Sequence, residues 1–555
     1  MRHIFLLLCL VVLMSACSER ADVVLKNGVV YTVDKDFSTQ QGVAILGDKI
    51  IAVGSNADMA KMIGSNTKVI DLQGKTVVPG FIDSHYHFMG VGKKNFYLNL
   101  DGTTSLDDFL ARVKDAVARK KEGEWITGRG WIEEDWPGKK FPSKRDLDKV
   151  APKNPVMLRR ADGHAAVVNS LALKIAGISK DTPNPVGGEI LRNRYGNATG
   201  MLIDNAMDLM SKYLPSDDDE ATMHKFALKA QAVATAYGIT QVHDMGSGWH
   251  TVDLWKKMYK DGDLKIRIIS YIMGPGADAD KLLEHGTELG LFNHRLSVVG
   301  IKIVEDGALG SRGAALLEPY SDAATSGLLM YKDAEIFPTI LKATQNHVQM
   351  AIHAIGDKAN REVLNLYARA LNELNIKPED VHPRFRMEHS QIVSLYDIPR
   401  FKQLNVIPSM QPSHAIGDLH FAIRRLGMQR IAEGYAWRKF LDQGNFIPAG
   451  SDAPVEEGNP MIEFYAACVR KDTTGFSAEG WHSDYKMTRE EALKALTIWG
   501  SRAVDEENIK GSIEPGKLAD LVVLDRNLMT DPEERLFDIK VVMTMIGGEI
   551  VYQKE

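Results

Sequence analysis

Six side chains spread over nearly four hundred positions, His85, His87, Lys302, His353, His389 and Asp452, have chemistries that could hold divalent metals. Each stands at or near the end of a short apolar run. A metal held by imidazole and carboxylate turns water into a nucleophile near neutral pH, so the chemistry this set permits is hydrolysis. His85 and His87 are one residue apart, which on a strand turns both imidazoles to one face. The pair alone is weak evidence, since strands carry His-X-His by accident. His353 in "AIHAIGD" and His389 in "MEHSQ" suit a metal or a hydrogen-bonded core, and Asp452 in "PAGSDAPVE" suits a metal or a helix N-cap. Lys302 lies among Val, Gly and Ile, where an unpaired ammonium is costly to bury. The free cation cannot ligate a metal. Its carbamate, an anion with two oxygens, could bridge two metals; the alternative is a buried ion pair with Asp306.

The elements that must position these groups alternate between strand and helix. Eight strand candidates follow one another: "VVPGFIDSHYH" (77–87), "ITQVHDM" (239–245), "IRIISYIM" (266–273), "SVVGIKIV" (297–304), "VQMAIHAI" (348–355), "RFRMEHS" (384–390), "NVIPSM" (405–410) and "NFIPAGSD" (445–452). Amphipathic stretches such as 359–374 separate them. This predicts an α/β fold, a (β/α)8 TIM-like barrel over 79–504, with chemistry at the C-terminal ends of its strands, where the six groups lie. Residues 88–220 are too long for one crossover and predict an inserted lobe after the first barrel strand. Short β-branched runs with Asn-Gly, Gly-Asp and Gly-Gly turns fill 22–78 and return in 505–555, predicting a small β-sandwich built from both chain ends.

With 555 residues, 44% of them hydrophobic, the chain can bury a large core, and its net charge of −6 argues against a nucleic-acid partner. Arg2 and His3, the apolar run 4–14 and Ser15-Ala16-Cys17 have the form of a lipoprotein-type signal peptide, with Cys17 as the lipidated residue. An ordinary secretory signal is the alternative. The expectation is export and a lipid anchor in the bacterial cell envelope, at the outer membrane facing the periplasm. Of the three cysteines Cys9 leaves with such a signal, so no internal disulfide is expected and Cys468 is read as buried packing. No feature of the sequence specifies an oligomeric state.

"PGFIDSHYH", the strand-borne Lys302, His353 and His389, "AGSDAPVE" and the closing "GSIEPGKLADLVVLD" together resemble the amidohydrolase superfamily. "RADGHAAVVNS", "GITQVHDMG" and "IKIVEDGALGSRGA" resemble its branch of N-substituted formamide deformylase-like hydrolases, amidohydrolase family 3. The likeness covers almost everything beyond residue 22. It implies that His85, His87 and Asp452 hold a first metal, His353 and His389 a second, and carboxylated Lys302 bridges them. The implied cofactor is Zn2+ or a similar divalent ion, one or two per chain. The implied reaction is hydrolysis of a C–N bond in a small amide-like molecule, with Asp452 carrying the proton to the leaving nitrogen. Lactone or phosphotriester hydrolysis, or a binding lipoprotein without catalysis, are the competing readings. Around the ligands, Arg160, Asp162 and His164 in the lobe, His243 after the second strand and His414 after the seventh are candidate substrate contacts. A salt-bridged turn is the alternative for the first three, and support of a ligand histidine for His243.

Overall fold

Gly80 divides the apolar run 77–87 between two sheets. Thr76–Pro79 pairs with Leu521–Leu524 from the other end of the chain, whereas Phe81–Tyr86 begins the barrel. A Cβ at residue 80 would collide with Thr240 of the adjacent barrel strand, so the switch needs glycine. The computed structural model describes residues 20–133, 136–160, 165–185, 188–310, 312–477 and 481–554.

The barrel strands are β1 (Phe81–Tyr86), β2 (Ile239–Ser247), β3 (Arg267–Met273), β4 (Leu296–Val304), β5 (Gln349–Ala354), β6 (Arg386–His389) and β7 (Ile407–Ser409). They pair in sequence order and all in parallel. Buried on both faces, they are the continuous β-branched runs that a helix-covered parallel sheet requires. The helix Asp357–Leu374 covers β5 with Val363, Leu364, Tyr367, Ala370 and Leu371, an apolar stripe at helical spacing.

The eighth expected strand, 445–452, is not a regular one. Pro448 has no N–H to donate, and only isolated bridges remain, Ala449 with Met410 and Ala453 with Tyr86. The segment still closes the circle: Ser84 N donates to Ala449 O at 3.0 Å, Asp452 N to His85 O at 2.7 Å, and Gly450 N to Met410 O at 3.1 Å.

Between β1 and the helix Glu220–Ala236, the inserted lobe forms a six-stranded sheet. It has its own core on each face, one built around Phe109, Trp131 and Trp136, the other around Met157, Leu173 and Met210. The chain ends build two further sheets. The interior they share mixes Leu25, Val43 and Val77 with Leu521, Val523 and Met545. Cys468, in the helix Pro460–Val469, is a buried free thiol pushed up to about 12 by burial. Among the described residues no helix is long and apolar enough to cross a membrane.

Candidate metal centre

Asp452 is where the separate strands meet. Its Oδ1 stands 3.0 Å from His87 Nε2 and 3.6 Å from His85 Nε2, and its Oδ2 stands 3.6 Å from His414 Nε2. Two donors on one tetrahedral zinc are about 3.4 Å apart, so these spacings fit ligands converging on an ion. The donor atoms of His85, His87 and Asp452 lie within 4.8 Å of one another, and so do those of His389, His414 and Asp452. His353 and His389 pack ring to ring at 4.3 Å, with His85 4.7 Å from His389. Lys302 Nζ lies 3.3 Å from His85 Nε2. The six groups predicted to converge therefore share one end of the barrel. Among the described residues His353 Nε2, His389 Nδ1 and His414 Nε2 are buried with no hydrogen-bond partner, as groups awaiting an ion or water are.

Backbone conformation aims several of these groups. His87 lies just past the end of β1, at the N-cap of the helix Phe88–Phe96, rather than on a continuing strand. Asp244 fixes that turn, its Oδ1 accepting from Phe88 N at 2.9 Å. In β6, Arg386 and Glu388 face the barrel interior, and strict alternation would turn His389 outward. Left-handed backbone at His389 (φ 73°) and Ser390 (φ 43°) breaks the alternation and brings the imidazole in. Asp452 also has left-handed backbone (φ 59°).

A buried polar layer beneath the ligands holds them. His85 Nδ1 is 2.7 Å from Glu388 Oε2, which fixes the ring and leaves Nε2 toward the centre. Arg386 donates to both oxygens of Glu388 at 2.8 and 3.2 Å, and also to Ser84 O, Tyr271 Oη, Ser409 Oγ and His243 Nδ1. Asp83 accepts from His85 N, Ser451 N and Ser451 Oγ, tying β1 to the eighth segment; burial pushes its carboxyl up to about 7 against those hydrogen bonds.

The expected alternative partner of Lys302 is otherwise engaged. Asp306 accepts from the amides of Ala315, Ile355 and Gly356 at 2.8–2.9 Å and stands 3.3 Å from His353 Nε2. Burial lowers the Lys302 pKa, favouring the free amine. Burial holds His85 well below the ordinary imidazole value, so it is the neutral form that ligates. For Asp452, burial acts upward, but His85, His87 and His414 outweigh it and hold the carboxyl well below its usual range.

His243 faces the polar layer, not the centre. Its Nδ1 accepts from Arg386 at 2.9 Å, so Nε2 carries the hydrogen. That calls for the Gln241 amide oxygen as its neighbour, and Oε1 is otherwise unpaired. Arg160 pairs with Glu133 through Nε at 2.8 Å and Nη2 at 3.2 Å. Asp162 and His164 lie outside the described residues, as does Cys17. Sequence reasoning missed Arg386, Glu388 and Asp83, and gave Asp306 the wrong partner; the signal for the first two was a charged pair at period two inside a buried strand.

A model of the amidohydrolase family matches residues 68–552. Protein LONG AFTER FAR-RED 3 of Arabidopsis thaliana is 36% identical over 96% of this chain and 92% of its own. Putative amidohydrolase YtcJ of Bacillus subtilis is 30% identical over 95% and 99%. N-substituted formamide deformylase of Arthrobacter pascens is 27% identical over 97% and 99%. The crystal structure of an uncharacterized metal-dependent hydrolase from Pyrococcus horikoshii superposes with a TM-score of 0.71 at 26% identity, covering 92% of this chain and 99% of that one. With a matching family model and full-length relatives, this chain belongs to the amidohydrolase family.

Proposed function

We propose that this amidohydrolase cleaves the C–N bond of a small amide-like substrate, with Asp452 as the proton carrier. The observation that carries the reading is Asp452 itself, whose Oδ1 faces His85 and His87 while Oδ2 faces His414. The kinship with an N-substituted formamide deformylase supports C–N rather than C–O or P–O cleavage.

His85, His87 and Asp452 would hold one divalent ion, and His353 and His389 a second. The imidazole-rich donor set suits Zn2+. When bound, such an ion supplies an activated water near neutral pH and polarises a carbonyl. Burial shifts Lys302 toward the uncharged amine, the form that adds to carbon dioxide with loss of a proton, and the resulting carbamate would be a further anionic ligand beside His85. Glu388 keeps His85 in the ligating orientation. Asp452 Oδ2 receives the proton of the attacking water and returns it to the departing nitrogen. In this scheme His414, beside that oxygen, touches the substrate or its leaving group. Arg160, Asp162 and His164 belong to the proposal as substrate contacts from the lobe.

Chelation should abolish hydrolysis of a formamide or acyl-amide panel, and Zn2+ should restore it. Turnover indifferent to chelator removes the metal from the reading; a lactone or phosphotriester cleaved faster than every amide moves the reaction to C–O or P–O. The proposal extends to anchoring at Cys17: Cys17→Ala should shift the protein from the detergent to the aqueous phase on partitioning, and an unchanged distribution removes the anchor.

A further inference from the structure

The junction between lobe and barrel has no part in the scheme above. Two adjoining cavities of about 660 and 690 Å3 lie there, sharing Lys94, Tyr97, Leu98, Asn99 and Thr127 in their walls. Neither is walled by a proposed metal ligand, yet one end of the groove is walled by residues that adjoin two of them. Gly90 and Pro454 form that end: a Cβ on Gly90 would lie 3.1 Å from the Pro454 ring and 3.5 Å from His87 Cβ. Pro454 is two residues past Asp452.

The groove is basic in an acidic protein. Its walls carry nine Lys and Arg against four Asp and Glu, whereas the whole chain has 67 against 73. The imbalance is not cancelled locally. Asp217 is engaged by Lys93 at 2.5 Å and by the Tyr97 hydroxyl. Among the described residues Lys94, Arg159, Lys225 and Lys229 form no ion pair, and Lys94 donates instead to Pro454 O at 3.0 Å. Lys94 follows Gly90 by one helical turn on the same face, about 6 Å along the axis. A cleft lined by one sign of charge concentrates ligands of the other sign.

We infer that this groove binds an anionic group, carboxylate or phosphate, on the substrate, held by Lys94 and Arg159 several bonds from the scissile amide. The inference rests on the hydrolase reading for the amide and on the groove for the charge. Matched amides ending in a carboxylate, a phosphate monoester or a neutral carboxamide, at equal spacing, test it on the metal-loaded protein. One or both anionic members should exceed the neutral one in kcat/KM by about tenfold, through KM, and the preference should collapse in 0.5 M salt and in Lys94→Glu and Arg159→Glu. Whichever of the two anions leads identifies the group. Calorimetric binding of the matching sulfonamides, which cannot be hydrolysed, gives a readout independent of turnover. Selective binding of the anionic sulfonamides with no amide cleaved sustains the groove and overturns the reaction; cleavage and binding indifferent to charge overturn the groove and sustain the reaction.

Discussion

At the scale of single residues, the centre depends on groups that hold a geometry more than on groups that merely exist. Asp452→Asn keeps the shape but removes the proton carrier, and turnover should fall by about 10^2 to 10^4 in steady-state assays. Near-normal turnover with full metal content would take that role from Asp452. Glu388→Gln leaves His85 in place but weakens the acceptor on its Nδ1; a metal titration should show first-ion affinity lower by about 10- to 100-fold. Glu305 gives a pH test. Burial, with the Asp306 carboxylate beside it, pushes its carboxyl up to about 8 from an ordinary 4.5. The folded protein thus binds this proton more tightly than the unfolded chain, and that contribution to stability, complete below pH 4.5, is lost as pH rises through 8. Glu305→Gln should therefore gain thermal stability relative to wild type as pH rises from 5 to 8, and a constant difference would refute the assignment.

At the scale of elements, Arg386 joins strands as well as charges. From β6 it reaches β1 through Ser84, β2 through His243, β3 through Tyr271 and β7 through Ser409. Such a buried guanidinium is tolerated because its donors are satisfied and Glu388 balances its charge. Arg386→Met strands Glu388 in the barrel and should cost about 3–5 kcal/mol in urea denaturation. A loss within error would mean that Glu388 takes up a proton or finds another cation. The eighth segment shows the opposite economy. Lacking a regular ladder, it is held by a few backbone bonds and by Asp83, and this frees its backbone to turn Asp452 into the centre.

At the scale of the molecule, the barrel and the paired chain ends form one folding problem. Arg267 of β3 is clamped by Asp520 of the C-terminal segment through Nε at 2.7 Å and Nη2 at 2.9 Å, both residues being buried. Gly547 N also donates to Asp520 at 2.8 Å. Asp520→Asn leaves a buried cation without its counter-charge and should lower the unfolding midpoint of barrel and terminal sheets together, followed by far-ultraviolet circular dichroism. Separate transitions, with the barrel unmoved, would show that the two units stand independently.

The sequence by itself determined the alternation of strands and helices, the joining of the two ends, the lobe, and the metal-type residues at strand ends. The alternation, the lobe and the metal-type residues are written locally, in the period of apolar residues or the position of a side chain within its run, and the joining of the ends only in the like pattern of their short strands. Only the tertiary structure decided what supports the ligands. Glu388 and His85 are 303 residues apart, and no local pattern pairs them. Nor does strand alternation predict that His389 is turned inward by left-handed backbone, or that Asp306 binds three amides rather than Lys302. Periodicity specifies which face a residue takes on a regular element; where the element ends or bends, packing of distant parts sets the direction.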